Sequence, residues 1–341
     1  MATTDIQYKN KALTLHKSIT APHFNERTVL ATSTWDYVDL WLKRNKKNDA
    51  RFFWNQARSF YEATLNLPKT SAPLTAYYCF LNATKALLLT KSAQFSDQHG
   101  VSGFTTQGPT ALSNERIKIK NGGVLPALCQ IFGEAINPQD IYTLKDILYN
   151  LPYIHRAFSL TFTDKELFIP ISNPKIVKST KTHEAWLTAE LSGKYANVST
   201  INKLPPSFER DSAILDKFII RSKHRFNWRP RQKSDSLIRY KTYHARLRKE
   251  ILYINTGTNK WYLKRGGVTA GVIDRNCLVL TFAAMHRLSE LSRYAPDKLA
   301  KHFDCQHNWL LSEFIVSASN QFIDSISSEI TGHELFAPER L

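Results

Sequence analysis

The chain has 341 residues, of which 43% are hydrophobic and 12% aromatic, a composition that excludes intrinsic disorder and allows one large core or two smaller ones. Its 46 Lys and Arg exceed its 29 Asp and Glu by 17 charges, which favours a polyanionic partner. Four scattered cysteines without a C-x-x-C pair, and apolar runs too short for a signal peptide or a membrane span, predict a cytoplasmic protein with reduced thiols and no membrane partner.

The first part of the chain is predicted to be helical. Apolar residues at three- and four-residue steps over 51–67 indicate one helix with an apolar stripe. After a short turn, Pro73 suits a first helical position, and a second helix follows over 76–89. We expect these two helices to form an antiparallel pair. The polar composition of 92–108, which contains His99, predicts a loop.

The middle of the chain is predicted to mix helix and strand. Residues 115–120 alternate between apolar and charged side chains, as a half-exposed strand does. Short helices are expected over 125–133 and 141–151, and alternation over 159–171 predicts a hairpin. The polar stretch 196–206 ends in two prolines and is the predicted linker.

The segment 236–255 allows two interpretations. Its apolar residues fit the seam of a helix, whereas its content of Tyr, Thr and Ile favours a strand. We expect a strand, because residues 252–254 and 261–263 flank a turn over 256–259 and together predict a hairpin.

Two helices are predicted near the C-terminus, over 278–294 and 309–330. The predicted fold class is therefore α+β and predominantly helical, with helical N- and C-terminal parts and a mixed, β-containing middle. The expected organisation is a helix-rich region over 1–195, the linker 196–206, and a region over 207–341 whose last helices pack on the N-terminal ones.

The segment 221–249 has the most unusual composition, since eleven Lys and Arg face a single acid, Asp235, for a net charge of +10. A row of phosphates would relieve this repulsion and release condensed counterions. Interleaved aromatic rings suit stacking on unpaired bases, although core anchors beneath a solvated basic face explain them equally well. The residues predicted to contact nucleic acid are Arg221, Arg225, Trp228, Arg229, Arg231, Arg239, Tyr240, Lys241, Arg246 and Arg248.

Three sequence patterns resemble the YaaC-like family of prokaryotic proteins. They are AYYCFLNATKALLL followed by QHGVSGF, then ILYNLPYIHRAFSLTF, and finally MHRLSELSRYAPDKL, and the similarity spans most of 50–335. The first pattern is also similar to the helical core of HEPN domains, many of which bind or cut RNA. The family likeness implies no particular reaction or cofactor, whereas the HEPN likeness implies a context of phage defence or toxin modules.

Arg239 and His244 are the candidate catalytic pair. Active HEPN ribonucleases resemble one another in an Arg followed four to six residues later by a His, where the cation stabilises phosphate charge and the imidazole transfers a proton. The spacing matches here, but 46 basic residues and 11 histidines produce such spacings by chance. The two residues are therefore candidates only, and the sequence assigns no catalytic residue.

Other polar residues have structural interpretations beside the functional ones. His99 either contacts a partner or holds its loop by hydrogen bonds to the backbone. Arg287 and Glu290 are spaced to pair across one helical turn. His302 and His307 flank a cysteine but lack the ordered ligand pairs of a closed zinc site, so no metal is expected.

The sequence also lacks the motifs of nucleotide hydrolases, dinucleotide-dependent enzymes, esterases and zincins, so no cofactor is expected. The leading hypothesis is a non-catalytic nucleic-acid-binding protein, a subunit of a prokaryotic anti-phage assembly with a protein partner. The alternatives are a HEPN-type metal-independent ribonuclease and an interaction subunit whose basic face meets an acidic protein. The choice between DNA and RNA, sequence preference and oligomeric state stay open.

Overall fold

The computed structural model describes residues 2–26, 28–137, 139–213, 217–255 and 260–336. Its helices are α1 (Thr34–Arg44), α2 (Asn48–Thr64), α3 (Ala72–Thr90), α4 (Val124–Ile131), α5 (Leu144–Tyr149), α6 (His155–Thr161), α7 (Val198–Ile201), α8 (Lys233–Leu247), α9 (Cys277–Tyr294), α10 (Pro296–Phe303) and α11 (Asn308–Thr331). Short 3-10 helices cover Pro152–Ile154 and Gly193–Tyr195. Its strands are β1 (Thr3–Asp5), β2 (Gln7–Tyr8), β3 (Lys11–Ala12), β4 (Val29–Leu30), β5 (Val101–Thr105), β6 (Glu115–Ile119), β7 (Ile141–Thr143), β8 (Phe168–Ser179), β9 (Glu184–Glu190), β10 (Phe208–Arg210), β11 (Ile219–Ser222), β12 (Phe226–Asn227), β13 (Ile251–Tyr253), β14 (Trp261–Lys264) and β15 (Leu335–Phe336).

The predicted fold class is wrong. Helix accounts for 44% of the structure and strand for 18%, and a large curled antiparallel sheet makes the protein mixed rather than predominantly helical. The N-terminal residues form strands, not helices, and β1 pairs with β8, so that Thr3 lies opposite Ser179. Such pairing joins residues far apart in sequence, and local periodicity carries no signal of it.

The described chain forms two compact units. The sheet unit comprises Met1–Arg27 and Glu166–Ala270, and the helical unit comprises Thr28–Lys165 and Gly271–Leu341. The predicted linker 196–206 belongs to the sheet unit, where part of it forms α7. The proposed division into a region before this linker and a region after it stays a prediction.

The sheet unit is built on an eight-stranded antiparallel sheet. The strands follow the order β10-β11-β9-β8-β14-β13, while β1 also pairs with β8 and β12 with β9. Buried side chains such as Ile176, Leu187 and Leu263 form a core with Tyr240 and Leu247 of α8. The apolar seam of α8 therefore covers the sheet.

The strand expected within 236–255 is instead mostly helix α8. Ser236, Tyr240, Tyr243 and Leu247 are buried at three- and four-residue steps, the periodicity of one helical face. Burial of this face outweighs the modest strand preference of Tyr and Thr. The hairpin that follows is confirmed, since β13 pairs with β14 antiparallel, and its predicted turn over 256–259 lies outside the described residues.

The helical unit surrounds α3, which is buried along most of its length. Helices α2, α9 and α11 pack on it, and the ring of Phe80 stacks on that of Phe322 with 4.1 Å between centroids. These four helices confirm the sequence predictions, including Gly332 as the left-handed cap of α11, with φ 75°. Strands β5, β6 and β7 form a separate antiparallel sheet in the same unit.

For the middle of the chain, one prediction is confirmed only in part and another is wrong. The helix expected over 141–151 begins only at Leu144, because Ile141–Thr143 is strand β7 and Thr143 caps the helix by accepting a hydrogen bond from the Asp146 amide at 2.9 Å. The hairpin expected over 159–171 is the end of α6 followed by β8. Short apolar runs of this kind do not distinguish helix from strand by periodicity.

Candidate functional site

The fold divides the basic segment into buried and exposed side chains. Arg248 is 7% exposed and donates to the carbonyl oxygens of His16 at 2.8 Å and Ile251 at 3.1 Å. Arg221 donates to the Glu209 carboxylate at 2.7 Å and forms a longer contact with Asp211. The charges of both arginines are thus engaged inside the sheet unit.

Arg225 and Arg239 are half-buried. The guanidinium of Arg225 lies 4.4 Å from the ring centroid of Trp186, and it donates to the carbonyl oxygen of Ser222. Arg239 donates to the carbonyl oxygen of Asn227 at 3.0 Å and to the hydroxyl of Ser236. Arg225 thus holds the segment between β11 and β12, and Arg239 joins the end of β12 to α8, so neither is fully free for a ligand.

The two aromatic residues chosen for base stacking lie in the core. Trp228 is 3% exposed and meets the ring of Tyr8 edge-on. Tyr240 has no exposed surface, and its hydroxyl donates to the carbonyl oxygen of Thr14 at 2.7 Å. Neither ring offers an open face to a base, so both act as core anchors in this structure.

His244 does not form an open catalytic pair with Arg239. Its imidazole is fully buried, and its Nε2 accepts a hydrogen bond from the backbone amide of His16 at 3.1 Å. Burial, with a further contribution from the charge of Arg248, holds the pKa of His244 well below its ordinary value. An imidazole with no exposed surface is out of reach of an RNA strand in this structure.

Six of the seven remaining cations of 221–249 form an exposed surface, which we call the basic face; the seventh, Lys223, is also exposed and lies before them, between β11 and β12. None of the six side chains of the basic face forms an ion pair with a described residue. They are Arg229, Arg231, Lys233, Lys241, Arg246 and Lys249. The basic face lies along the turn before α8, the solvent side of α8 and the residues just after it. Four members were predicted from the sequence; Lys233 and Lys249 were not singled out.

The helical unit contains a cleft of about 440 Å³. Helix α3, the loop before β5, the end of β6 and helix α9 surround it. The side chains that matter for its chemistry are Tyr77, Tyr78, His99, Lys120, His286 and Arg293.

Two glycines allow the loop that carries His99 to approach the start of α4. Gly100 has φ +77°, and a Cβ there would lie 2.2 Å from Cδ of Pro126. Gly123 has φ +120°, and a Cβ there would lie 2.6 Å from the carbonyl oxygen of Gln98. Because only glycine suits both the dihedral and the space, this loop geometry depends on the His-Gly sequence.

A buried network of ion pairs lies next to the cleft and joins α9 to β6. Arg287 donates to Glu115 at 2.7 Å and to Glu290 at 2.9 Å, which confirms the pair expected between Arg287 and Glu290. Glu290 also accepts from the amide of Gly103 at 3.2 Å. Burial opposes the ionisation of Glu115, but hydrogen bonds from His302 and Arg287 hold its pKa below the ordinary value. The carboxylates in this network are therefore already committed.

Two buried polar atoms at the cleft lack partners among the described residues. They are the hydroxyl oxygen of Tyr77 and Nδ1 of His286. The Nδ1 atom lies 3.8 Å from a Glu290 oxygen, beyond hydrogen-bond distance. Burial lowers the pKa of His286 to about 3, with smaller contributions from His99 and Arg287, and burial raises the pKa of Tyr77. Both side chains are neutral at pH 7.

A family model described as YaaC-like Protein matches residues 15–330, which include parts of both units. The chain belongs to the YaaC-like family. The HEPN-like core suggested by this YaaC-like sequence is not confirmed. No curated protein and no solved structure matches the chain. Among the helices over the described ranges, none is both long and apolar enough to cross a membrane.

The sequence predicts only part of the cleft of this YaaC-like protein. His99 and the Arg287–Glu290 pair are candidates from the sequence alone, whereas Tyr77 and Lys120 are not. The available signal was the resemblance itself: the Tyr-Tyr helix, the His-Gly loop and the MHRLSELSRY helix that carry it all contribute lining residues. Lys120 simply follows a strand, and only the folded structure brings it beside the others.

Proposed function

We propose that the protein binds nucleic acid through the basic face, by contacts with phosphates and without base stacking. The observation that supports this proposal is the set of six exposed cations without ion pairs to described residues. Each uncompensated cation can replace a condensed counterion on a nucleic-acid backbone, and the release of that counterion favours binding.

Binding of this type carries little sequence preference. Phosphate contacts fix the position of a protein on nucleic acid, whereas base contacts specify the sequence. Trp228 and Tyr240 are buried and supply no stacking surface. We therefore expect duplexes of different sequence to bind alike, and single strands to bind through their backbone.

We propose no ribonuclease activity for Arg239 and His244. General acid–base catalysis needs an imidazole within hydrogen-bond reach of the substrate proton. His244 is fully buried and its pKa is strongly lowered. Binding without cleavage is therefore the proposed activity, and an acidic protein surface is the competing partner for the same face.

The experiment measures duplex affinity as a function of salt concentration. In the test variant, Arg229, Arg231, Lys241 and Arg246 are all changed to Gln. If each residue meets one phosphate, the slope of log affinity against log salt falls by about 3 to 4, at about 0.9 per contact. The control changes four exposed cations of the helical unit, Arg44, Lys69, Lys298 and Lys301, to Gln.

The control loses the same total charge, so a slope that falls only in the test variant assigns binding to the basic face. Equal slopes in two folded variants would place the contacts elsewhere. Failure of the wild-type protein to bind duplex or single-stranded RNA at about 50 mM salt, where phosphate contacts are strong, would reject nucleic acid as the partner.

A further inference from the structure

We propose that the cleft of the helical unit binds a small phosphomonoester, with its phosphate at Lys120 and Arg293 and its uncharged polar end at Tyr77 and His286. This site is separate from the basic face and does not depend on the nucleic-acid proposal. It rests on the cleft, on two cations there that are not ion-paired with any described residue, and on two buried atoms without a partner among the described residues.

The mouth of the cleft is positively charged. Lys120 and Arg293 are exposed, both line the cleft, and neither is ion-paired with another described residue. Besides burial, the charges of Lys85, Arg293 and Lys120 lower the pKa of His99. Lys85 already pairs with Asp97 at 2.9 Å, which leaves Lys120 and Arg293 as the cations available to an anion.

The acid in the cleft does not neutralise these two cations. Glu290 is the carboxylate that lines it, and its oxygens accept from Arg287 and from the amide of Gly103. A phosphate can accept hydrogen bonds from both an ammonium and a guanidinium, and such charge-assisted bonds are stronger than neutral ones. The charge balance of the cleft thus favours an anionic ligand.

The inner end of the cleft requires an uncharged group. Tyr77 and His286 are buried and neutral, and the Tyr77 hydroxyl and His286 Nδ1 have no partner among the described residues. Both atoms have almost no exposed surface, so a ligand group reaches them only when the side chain turns towards the cleft. A buried polar atom without a partner costs about 1–3 kcal/mol, and a ligand hydroxyl, amide or ring nitrogen that pairs with it after this movement would remove that cost. A charged ligand group would instead lose its hydration there without a counter-charge.

The dimensions fit a small molecule rather than a polymer. A volume of about 440 Å³ lies within the range of ordinary ligand pockets, roughly 300–1,000 Å³. Nucleoside monophosphates and sugar phosphates share the required chemistry, a phosphomonoester attached to an uncharged body with hydroxyl groups. The two sources differ in the presence of an aromatic base.

The test is isothermal titration calorimetry on the full-length protein at about 0.1 M salt, where screening beyond about 10 Å suppresses distant charges. The titrants are AMP, ribose 5-phosphate, adenosine and inorganic phosphate. We expect at least one phosphomonoester to bind, and adenosine and inorganic phosphate to bind at least about tenfold more weakly. AMP and ribose 5-phosphate then distinguish the nucleotide from the sugar phosphate.

Two variants assign the binding to the cleft. Lys120→Gln with Arg293→Gln removes exposed cations, and Tyr77→Phe removes only the buried hydroxyl oxygen. We expect each variant to weaken phosphomonoester binding by about tenfold or more. The matched control, Lys298→Gln with Lys301→Gln, removes the same charge from exposed positions of α10 and leaves affinity unchanged.

Several results would overturn the proposal. The proposal fails if neither phosphomonoester binds, if adenosine binds as tightly as AMP, or if the Lys120/Arg293 variant keeps the full affinity for a phosphomonoester. Inorganic phosphate that matches the phosphomonoesters would reject the role of Tyr77 and His286. Loss of phosphomonoester binding in the basic-face variant would place the ligand on the sheet unit, whereas failure of nucleic-acid binding alone leaves this proposal standing.

Discussion

The basic face and the cleft present positive charge in different ways. On the basic face, six cations are exposed to solvent, and the spacing of their charges is the feature that would determine which anion binds. In the cleft, the two open cations lie at the mouth, while the neutral side chains of Tyr77 and His286 define the inner end. The comparison teaches that charge density indicates a polyanion, whereas shape and unpartnered atoms indicate a small ligand.

The largest expected effect separates buried charge from exposed charge. Arg287→Ala leaves Glu115 and Glu290 without their cation inside the helical unit, and we expect the free energy of unfolding to fall by about 3–5 kcal/mol. Arg229→Ala on the basic face changes it by less than about 0.5 kcal/mol. Urea unfolding followed by tryptophan fluorescence measures both. Equal losses in the two variants would contradict the distinction between the sites.

The pH dependence of stability tests the neutral interior of the cleft. An unfolded imidazole binds a proton below about pH 6.5, whereas His286 in the folded protein binds one only near pH 3. Above pH 6.5 the imidazole is neutral in both the folded and the unfolded protein, so burying it carries no cost of deprotonation. As the pH falls from 6.5 towards 3, the unfolded protein binds the proton and the folded protein does not, so the free energy of unfolding falls. At pH 5 the loss is about 2 kcal/mol for this residue.

The measurement compares the free energy of unfolding at pH 7 and pH 5. The free energy of unfolding should differ between pH 7 and pH 5 by about 2 kcal/mol less in His286→Gln than in the wild type. His183→Gln, a change at an exposed position of the sheet unit, should leave the difference as it is in the wild type. An unchanged difference in His286→Gln would show that this imidazole is protonated while folded.

The smallest expected effect concerns the aromatic rings beneath the basic face. Tyr240→Phe removes the hydrogen bond to the Thr14 carbonyl, which lowers the free energy of unfolding by about 0.5–1.5 kcal/mol, the net contribution of a typical hydrogen bond. Because the ring is buried, duplex and single-strand affinity at fixed salt should stay within about twofold. A loss near the 1–3 kcal/mol typical of base stacking would show that the ring reaches nucleic acid after all.

The sequence was most informative where the signal is local. Helices α3, α9 and α11 follow from apolar residues repeated at helical spacing, and Gly332 marks an end. The large sheet was missed, because its pairing joins Thr3 to Ser179 and Trp261 to Ile171. No periodicity within either partner encodes that contact.

The same limit applies to the sites. The net charge of 221–249 identified the surface on which the basic face lies, since charge can be counted without a fold. It did not reveal which residues are buried: Arg248 and Tyr240 carry the sequence features of their neighbours but lie in the core. The cleft was harder still, because Tyr77, Lys120 and His286 belong to separate elements.

The helical unit is formed by two separate segments of the chain, and this arrangement affects folding during synthesis on the ribosome. Its first part ends at Lys165, and its second begins at Gly271, after the second part of the sheet unit. A ribosome releases β1 roughly 10–30 s before β8, at about 5–20 residues per second. Strand β1 must wait for its partner β8, and α3 must wait longer for α9 and α11. Helix α2 can pack on α3 at once, but the nascent chain exposes the apolar surface of α3 that α9 and α11 later cover until those helices emerge.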